Sequence, residues 1–350
     1  MEDVGSLSTV ARARNARIAA IVACVPKNVV RNADFTERFG DSVQQIVKMT
    51  GVVERHIVEK NVTTSDLCAA AAVALFDRAS INRQDIDAIL FFSQTPDYRL
   101  PATACELQAR LGLRTGIVAF DVNLGCSAYP YALWLGSMMI ESGAAKKVLL
   151  VVGDTISRIV DDTDRATALI FGDCGTATLL EASMGLEATF ILGSDGAGAP
   201  NLIVPAGCFR VAENIDDRNP NRQDTLFMDG GEIFNFTLKA VPKLIQALFA
   251  ATGKDSEDYD HFLFHQANAF MVNHLRKKAK LPAEKVPINI DRFGNTSSGT
   301  IPLLIVTECR DAVTGINPCE LAMFGFGVGY SWAAASMNVS SLACADLVEL

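Results

Sequence analysis

Short apolar runs, each closed by a glycine turn or a polar cluster, set the rhythm of this chain. Residues 117–122 form one such run. A turn at Gly125 follows, and then Ala128, Leu133, Leu135, Met138, Met139 and Ile140 continue with few polar interruptions. This order predicts a strand, a tight turn and a buried helix opening at Cys126. Residues 262–264 predict another strand, followed by His265-Gln-Ala-Asn268. Residues 286–290 predict a third, followed by Phe293-Gly-Asn-Thr-Ser297. Residues 321–345 carry no charge but include Gly325, Gly327, Gly329, several serines and Asn338. They read as buried strands joined by a glycine turn and not as a membrane span. The apolar stretch 18–25 stops at Pro26 and is too short to cross a bilayer.

The pattern repeats. At an offset of 173 residues, Ala74-Leu75-Phe76 matches Ala247-Leu248-Phe249, Asp85 matches Asp258, Asp87 matches Asp260, and Leu90-Phe91 matches Leu263-Phe264. Each copy reads as a helix end, a polar turn and a buried strand. Chance similarity over so short a match is the alternative. A duplication predicts two α/β halves related by approximate twofold symmetry. The expected organisation is a loose tail over residues 1–16, one half over 17–182, a second over 183–340 and an extension over 341–350. The halves would meet near residues 180–225. Residues 195–225 are rich in Gly, Pro, Asn and Asp and read as long surface loops.

Composition narrows the classes. Of 350 residues, 49% are hydrophobic and 20% charged, which suits a large core and excludes a disordered chain. A net charge of −9 argues against duplex nucleic acid as a partner. The nine cysteines are dispersed with no Cys-x-x-Cys pair, and the four histidines are scattered. No metal site is expected, and unpaired thiols fit a reducing cytoplasm.

Candidate chemistry centres on Cys126 in Asp121-Val-Asn-Leu-Gly-Cys-Ser-Ala-Tyr-Pro130. At a helix N-terminus, unpaired N–H groups and the dipole would make the thiol lose its proton more easily. A buried structural cysteine is the alternative. Active sites of open α/β sheets lie beyond the carboxyl ends of strands, and Cys126, His265 and Asn295 all follow predicted strands. Two chemistries suit the three. In a cysteine hydrolase, His is a general base oriented by Asn. In carbon–carbon bond formation, Cys carries an acyl group while His and Asn donate hydrogen bonds to a developing enolate.

Several segments resemble the signatures of ketoacyl-acyl-carrier-protein synthase III. They are Thr50-Gly-Val-x-x-Arg55, Leu100-Pro-Ala-Thr-Ala-Cys105, the Cys126 segment, Phe171-Gly-Asp173, His265-Gln-Ala-Asn268, Gly294-Asn-Thr-Ser-Ser298 and Gly325-Phe-Gly-Val-Gly-Tyr-Ser-Trp332. They run in family order from about residue 17 to 339. The resemblance implies a thiolase-like α/β fold of two βαβαβαββ halves in a layered αβαβα arrangement, as a homodimer. It implies a decarboxylative Claisen condensation in which Cys126 takes an acyl group from a thioester. A malonyl thioester then loses carbon dioxide, and its carbanion attacks the acyl-Cys126 carbonyl. His265 and Asn295 would stabilise the enolate. The backbone N–H groups of Cys126 and Val328 would form the oxyanion hole. No metal or redox cofactor is implied, the substrates being coenzyme A or acyl-carrier thioesters. A related possibility is transfer of the acyl group to a hydroxyl, amine or water without condensation. A non-catalytic binding protein on the same scaffold is a third.

The thioester-arm site departs from the family pattern. Arg165 and Asn268 are retained, but Gln45 stands where Trp is common, Met49 where Arg is common, and Gly231 where Asn is usual. Asn235 replaces a frequent Lys and Phe270 a frequent Arg. These losses remove stacking and phosphate pairing for coenzyme A, so a carrier-bound or unusual acyl group is expected. Leu100, where Phe is frequent, would line the acyl pocket from the partner subunit and leave room for a longer chain. The run Arg276-Lys277-Lys278 would meet an acidic carrier protein, or else is a solvated charge run.

Overall fold

The computed structural model describes residues 8–210 and 224–350. In chain order the elements are β1 (Thr9–Ala13), β2 (Ala16–Val25), α1 (Thr64–Arg78), β3 (Ala88–Phe92), α2 (Thr103–Arg110), β4 (Val118–Val122), α3 (Ala128–Glu141), β5 (Lys147–Asp154) and β6 (Cys174–Ala182). There follow β7 (Ala188–Ser194), α4 (Gly230–Thr252), β8 (His261–Phe264), α5 (Ala269–Lys278), α6 (Thr300–Glu308), β9 (Glu320–Gly327), β10 (Ser331–Asn338) and β11 (Ala345–Glu349). A six-stranded sheet has the order β11-β2-β6-β5-β3-β4, and a five-stranded sheet the order β1-β7-β10-β9-β8.

The central strands explain the layering. In β2, Ile21, Ala23 and Val25 enter one core while Ala20, Val22 and Cys24 enter another; β5 divides Val148, Leu150 and Val152 from Leu149 and Val151 in the same way. The period of two sends alternate side chains to opposite faces. Both faces are apolar because helices cover both: α1 and α2 lie outside the first sheet, α3 and α6 between the sheets, and α4 and α5 outside the second. Apolar all round, α3 suits the central layer. The helices start and stop on local signals. Thr63 and Asp66 form a capping box on α1; Asp229 caps α4, which ends at the left-handed Gly253.

The order β2-α1-β3-α2-β4-α3-β5-β6 is the βαβαβαββ pattern expected of one half. The matched segments 74–76 and 247–249 both end the helix between the first and second strands of their halves, and Leu90-Phe91 and Leu263-Phe264 both lie in the strand that follows. Three expectations are corrected. Residues 286–290 form no strand; an extended stretch leads into a short helix, Ile290–Phe293. The N-terminal tail is only partly loose, since β1 pairs antiparallel with β7. The C-terminal extension contains β11, which pairs parallel with β2. Each chain end thus adds a strand to the sheet of the other half. Of the loop expected over 195–225, residues 211–223 lie outside the described residues, as do 1–7 of the tail. Among the described residues no helix is long and apolar enough to cross a membrane.

Strands β3, β4 and β5 run parallel, so Gln94, Cys126 and Asp154 all fall at or beyond the same ends. Parallel β8 and β9 bring His265 and Val328 to the matching end of the second sheet.

Candidate active site

The helix after Cys126 begins two residues later than expected, at Ala128, with Ser127 as its N-cap residue. Cys126 sits in the tight turn before it, where the Ala128 N–H donates to the Gly125 carbonyl at 2.8 Å. The turn rests on β9. A Cβ on Gly325 would come within 2.8 Å of the Ser127 Cα, and one on Gly327, at φ 155°, within 2.9 Å of the Cys126 sulfur. Only glycine permits both approaches. The Ser127 and Ser331 hydroxyls, 2.6 Å apart, tie the turn to β10.

The Val328 and Cys126 N–H groups and the Ser297 hydroxyl act to favour the thiolate. The thiol is nevertheless pushed up to about 11, first by burial and then by the Asp154 carboxylate. This corrects the expectation of an easily ionised thiol. The donors favour the thiolate, but desolvation outweighs them. Beside the turn lies a cavity of about 260 Å³, lined among others by Gln94, Gly125, Ser194, Val328, Tyr330 and Ser331.

His265 follows β8 and is buried. Its N–H donates to the Phe324 carbonyl at 2.8 Å, and its ring stands edge-on to Phe326. Nδ1 is 2.8 Å from the Thr300 hydroxyl. Burial drives the imidazole down to about 3, against a weaker opposing effect of the Ser297 carbonyl, so the ring is neutral at physiological pH. Asn295 is fixed by its backbone: its N–H donates to the Ile170 carbonyl at 2.9 Å and its carbonyl accepts from Gly172 at 3.1 Å. Its Oδ1 accepts the Ser297 N–H at 2.9 Å, which leaves the amide nitrogen as the free end. Ser297 therefore joins two arms of the site: its N–H donates to Asn295 Oδ1, and its carbonyl accepts the Thr300 hydroxyl that lies beside His265 Nδ1. It holds φ 52°, the left-handed region that a buried serine rarely adopts.

Behind the sulfur lies a fully buried carboxylate, Asp154, at the end of β5. Its Oδ1 accepts from the Gln94 N–H at 2.7 Å and the Ser93 hydroxyl at 3.0 Å; its Oδ2 accepts from the Ser298 N–H at 3.2 Å.

The residues expected at the thioester arm take separate places. Asn268 caps α5, accepting the Met271 N–H at 2.7 Å, and Gly231 lies in the first turn of α4. Arg165 is exposed on the segment after β5. Leu100 is 79% exposed. Met49 and Phe270 are also exposed, and Phe270 clusters with Phe234 and His274. In the basic run, Arg276 and Lys278 donate to the Leu281 and Leu238 carbonyls, and Lys277 and Lys278 are both exposed.

Comparison with known proteins places this geometry. Residues 120–196 match the model of 3-oxoacyl-[acyl-carrier-protein] synthase III, and residues 249–339 that of its C-terminal domain. The chain is 37% identical over 326 residues to a beta-ketoacyl-[acyl-carrier-protein] synthase III of Xanthomonas euvesicatoria pv. vesicatoria, covering 92% of this chain and 98% of the relative. It belongs to the 3-oxoacyl-[acyl-carrier-protein] synthase III family. A synthase of that name from Campylobacter concisus is 34% identical, covering 95% of this chain and 99% of the relative. The solved structure of a 3-oxoacyl-(acyl-carrier protein) synthase from Burkholderia xenovorans LB400 aligns with TM-score 0.96 and 52% identity, over 99% of this chain and all of that one. The fold is thus the thiolase-like one of this synthase family, and the chain is an enzyme of the condensing class.

Sequence reading missed Asp154, and it quoted Ser297 and Thr300 or their neighbourhood without giving them work. Asp154 carried a signal: it is a carboxylate closing an otherwise apolar run at the carboxyl end of a strand, where sites of α/β sheets lie.

Proposed function

We propose that this synthase-family protein joins a Cys126-bound acyl group to a malonyl thioester with loss of carbon dioxide, giving a 3-oxoacyl thioester. The observation that supports the reading is the seating of the Cys126 turn against Gly327, next to Val328, beside a hydrogen-bonded chain that joins His265 through Thr300 and Ser297 to Asn295. Preorganised donors act where negative charge develops, and one such donor is worth on the order of 100-fold in rate. The Val328 and Cys126 N–H groups hold the oxyanion formed at the acyl-Cys126 carbonyl. Asn295 offers its free amide nitrogen to the malonyl-derived enolate. The Thr300 hydroxyl donates to the Ser297 carbonyl at 3.1 Å and lies 2.8 Å from Nδ1, which fixes the plane of the ring. In this reading the imidazole, in its Nε2–H form, donates to the same enolate. The steps balance without a metal or a redox cofactor.

The acyl donor in this reading is a carrier-protein thioester ahead of acetyl-coenzyme A. Supporting it are the exposed Met49 and Phe270 where the family pattern has cations, and the exposed Gln45 where it has a flat aromatic. Asn268, Arg165 and the backbone at Gly231 would hold the thioester arm. A homodimer is part of the proposal: β4 is an edge strand with Val118 exposed and Phe120 and Val122 half-buried, and Leu100 is exposed, as a residue offered to a partner's acyl pocket would be. Acyl transfer without condensation is less favoured, because relatives matching over nine-tenths of the chain carry the synthase name. The test is release of labelled carbon dioxide from a malonyl thioester. Release that depends on an acyl donor and vanishes in Cys126→Ala is expected; acyl discharge with no carbon dioxide would instead select transfer.

A further inference from the structure

Two of the signature segments, Thr50-Gly-Val-x-x-Arg55 and Phe171-Gly-Asp173, have no part in the steps above, yet the fold packs both against Asn295. Arg55 is 4% exposed. Its Nε donates to Asn32 Oδ1 at 2.9 Å and its Nη1 to the Phe171 carbonyl at 3.2 Å. Its Nη2 has no hydrogen-bond partner among the described residues. A buried cation with a nitrogen unpaired is a poor source of stability. Its bonds go instead to residues 169–173, the stretch on which Asn295 hangs. We propose that Arg55 is a positioning residue for Asn295, acting on the condensation step and not on acylation of Cys126, a role that rests on the part given to Asn295 above.

The hydrogen bonds of the 169–173 stretch alternate in direction. On one side, the Leu169 carbonyl accepts from Asn32 Nδ2 at 2.9 Å, the Phe171 carbonyl accepts from Arg55, and the Asp173 N–H donates to the His56 carbonyl at 2.9 Å. On the other, the Ile170 carbonyl accepts the Asn295 N–H at 2.9 Å and the Gly172 N–H donates to the Asn295 carbonyl at 3.1 Å. Phe171 and Asn295 thus form a single rung of parallel ladder. Asn32 completes the clamp: it accepts from Arg55 through Oδ1 and donates through Nδ2 to the Val52 carbonyl at 3.0 Å as well as to Leu169. The stem of Arg55 also packs on the residue before Asn295. A Cβ on Gly294, at φ 65°, would come within 2.8 Å of Arg55 Cγ and 2.6 Å of the Ile170 carbonyl oxygen. Both backbone hydrogen bonds of Asn295 therefore run to a stretch that Arg55 and Asn32 hold from behind. A shift of that stretch carries the amide nitrogen with it, because Oδ1 is tied to the Ser297 N–H of the same loop. Cys126 is held elsewhere, by the glycines of β9 and the Ser127–Ser331 contact. The two steps of the reaction are for this reason separable by substitution at Arg55.

The experiment uses the full-length protein as wild type, Arg55→Lys, Arg55→Gln, Asn295→Ala and the two double variants. The hexanoyl thioester of N-acetylcysteamine loads Cys126, followed by mass of the Cys126 peptide. The malonyl thioester of N-acetylcysteamine then discharges it, and labelled carbon dioxide is counted per acyl-Cys126, so that protein that does not load drops out. Arg55→Lys keeps the charge but has no planar fork to span both acceptors. Loading should proceed at the wild-type rate in both Arg55 variants. Discharge should slow on the order of 100-fold, as for a reacting group misplaced by about 1 Å. Asn295→Ala alone should also slow discharge, and adding either Arg55 substitution should slow it no further, since a residue that acts through another is not additive with it. Losses that multiply in the double variants would overturn the proposal. So would discharge at the wild-type rate in Arg55→Lys, or loading that falls with discharge or is lost in both Arg55 variants, since Arg55 would then serve the whole fold. Wild-type protein that loads but releases no carbon dioxide would instead fail the underlying reading of Asn295 and of condensation.

Discussion

His265 illustrates what a single buried side chain does to the pH dependence of the whole protein. Its folded-state value near 3 lies below the ordinary histidine value. Between the two, the unfolded chain binds a proton that the folded chain does not. The contribution to stability is therefore full above about pH 6.5 and is lost as pH falls toward 3. Between pH 7 and pH 5 the wild type should lose about 2 kcal/mol more than His265→Asn in denaturant titrations. Asp173, raised to about 6 by burial, acts in the opposite sense but is common to both proteins and cancels in the difference. Equal pH slopes would show that the ring is not held neutral by burial. At this scale Cys126 and His265 stood out because each follows a strand in a distinctive polar segment, whereas Asn295 stood out by its Gly-Asn-Thr-Ser segment alone, since a short helix and not a strand precedes it. Ionisation of the thiol was not, because desolvation depends on everything packed around the sulfur. Nor was Asp154, whose meaning comes from residues far away in sequence.

Between residue and fold, the glycine strand β9 and the cap of α1 make separable predictions. In Gly325→Ala the new methyl would press on the backbone of the nucleophile turn, which cannot yield as a side-chain tip can. The expected cost is about 1–3 kcal/mol of stability, with slower alkylation of Cys126 as the turn shifts. Thr63→Ala removes one side of the capping box on α1, in which the Thr63 N–H donates to Asp66 at 2.8 Å. It should cost about 1 kcal/mol and leave alkylation of Cys126 unchanged. Urea unfolding beside the alkylation rate distinguishes the two. Elements such as α3 and β8 could be read from the sequence pattern, since each buries a largely apolar set, and β4 from a short apolar run, although it lies half-buried at the sheet edge. The stretch 286–290 was misread as a strand because its alternating apolar residues suit an extended segment. Pairing, which decides strand identity, is not a local property. The start of α3 was placed early for a related reason: the turn before a helix shares its composition.

At the scale of the molecule, among the described residues β4 leaves one edge of the six-stranded sheet open, and an open edge of partly apolar residues invites a partner. If two copies meet there, Phe120→Lys should give a monomer by light scattering, with condensation lost along with the partner's Leu100. A wild-type monomer would remove the dimer from the account. The duplication was visible in the sequence as matched helix–turn–strand segments. The exchange of β1 and β11 between the sheets was not, because each pairs with a strand distant in the chain and leaves no local trace. The most direct test of the central claim is the intact mass of the protein, read after an acyl-carrier thioester and again after a malonyl thioester. The account predicts one acyl group on Cys126, mapped by peptide mass, discharged by the malonyl thioester with one carbon dioxide and one 3-oxoacyl thioester per protein. An adduct on the exposed Cys105 or Cys208 in its place, or one on Cys126 that the malonyl thioester leaves untouched, would contradict it.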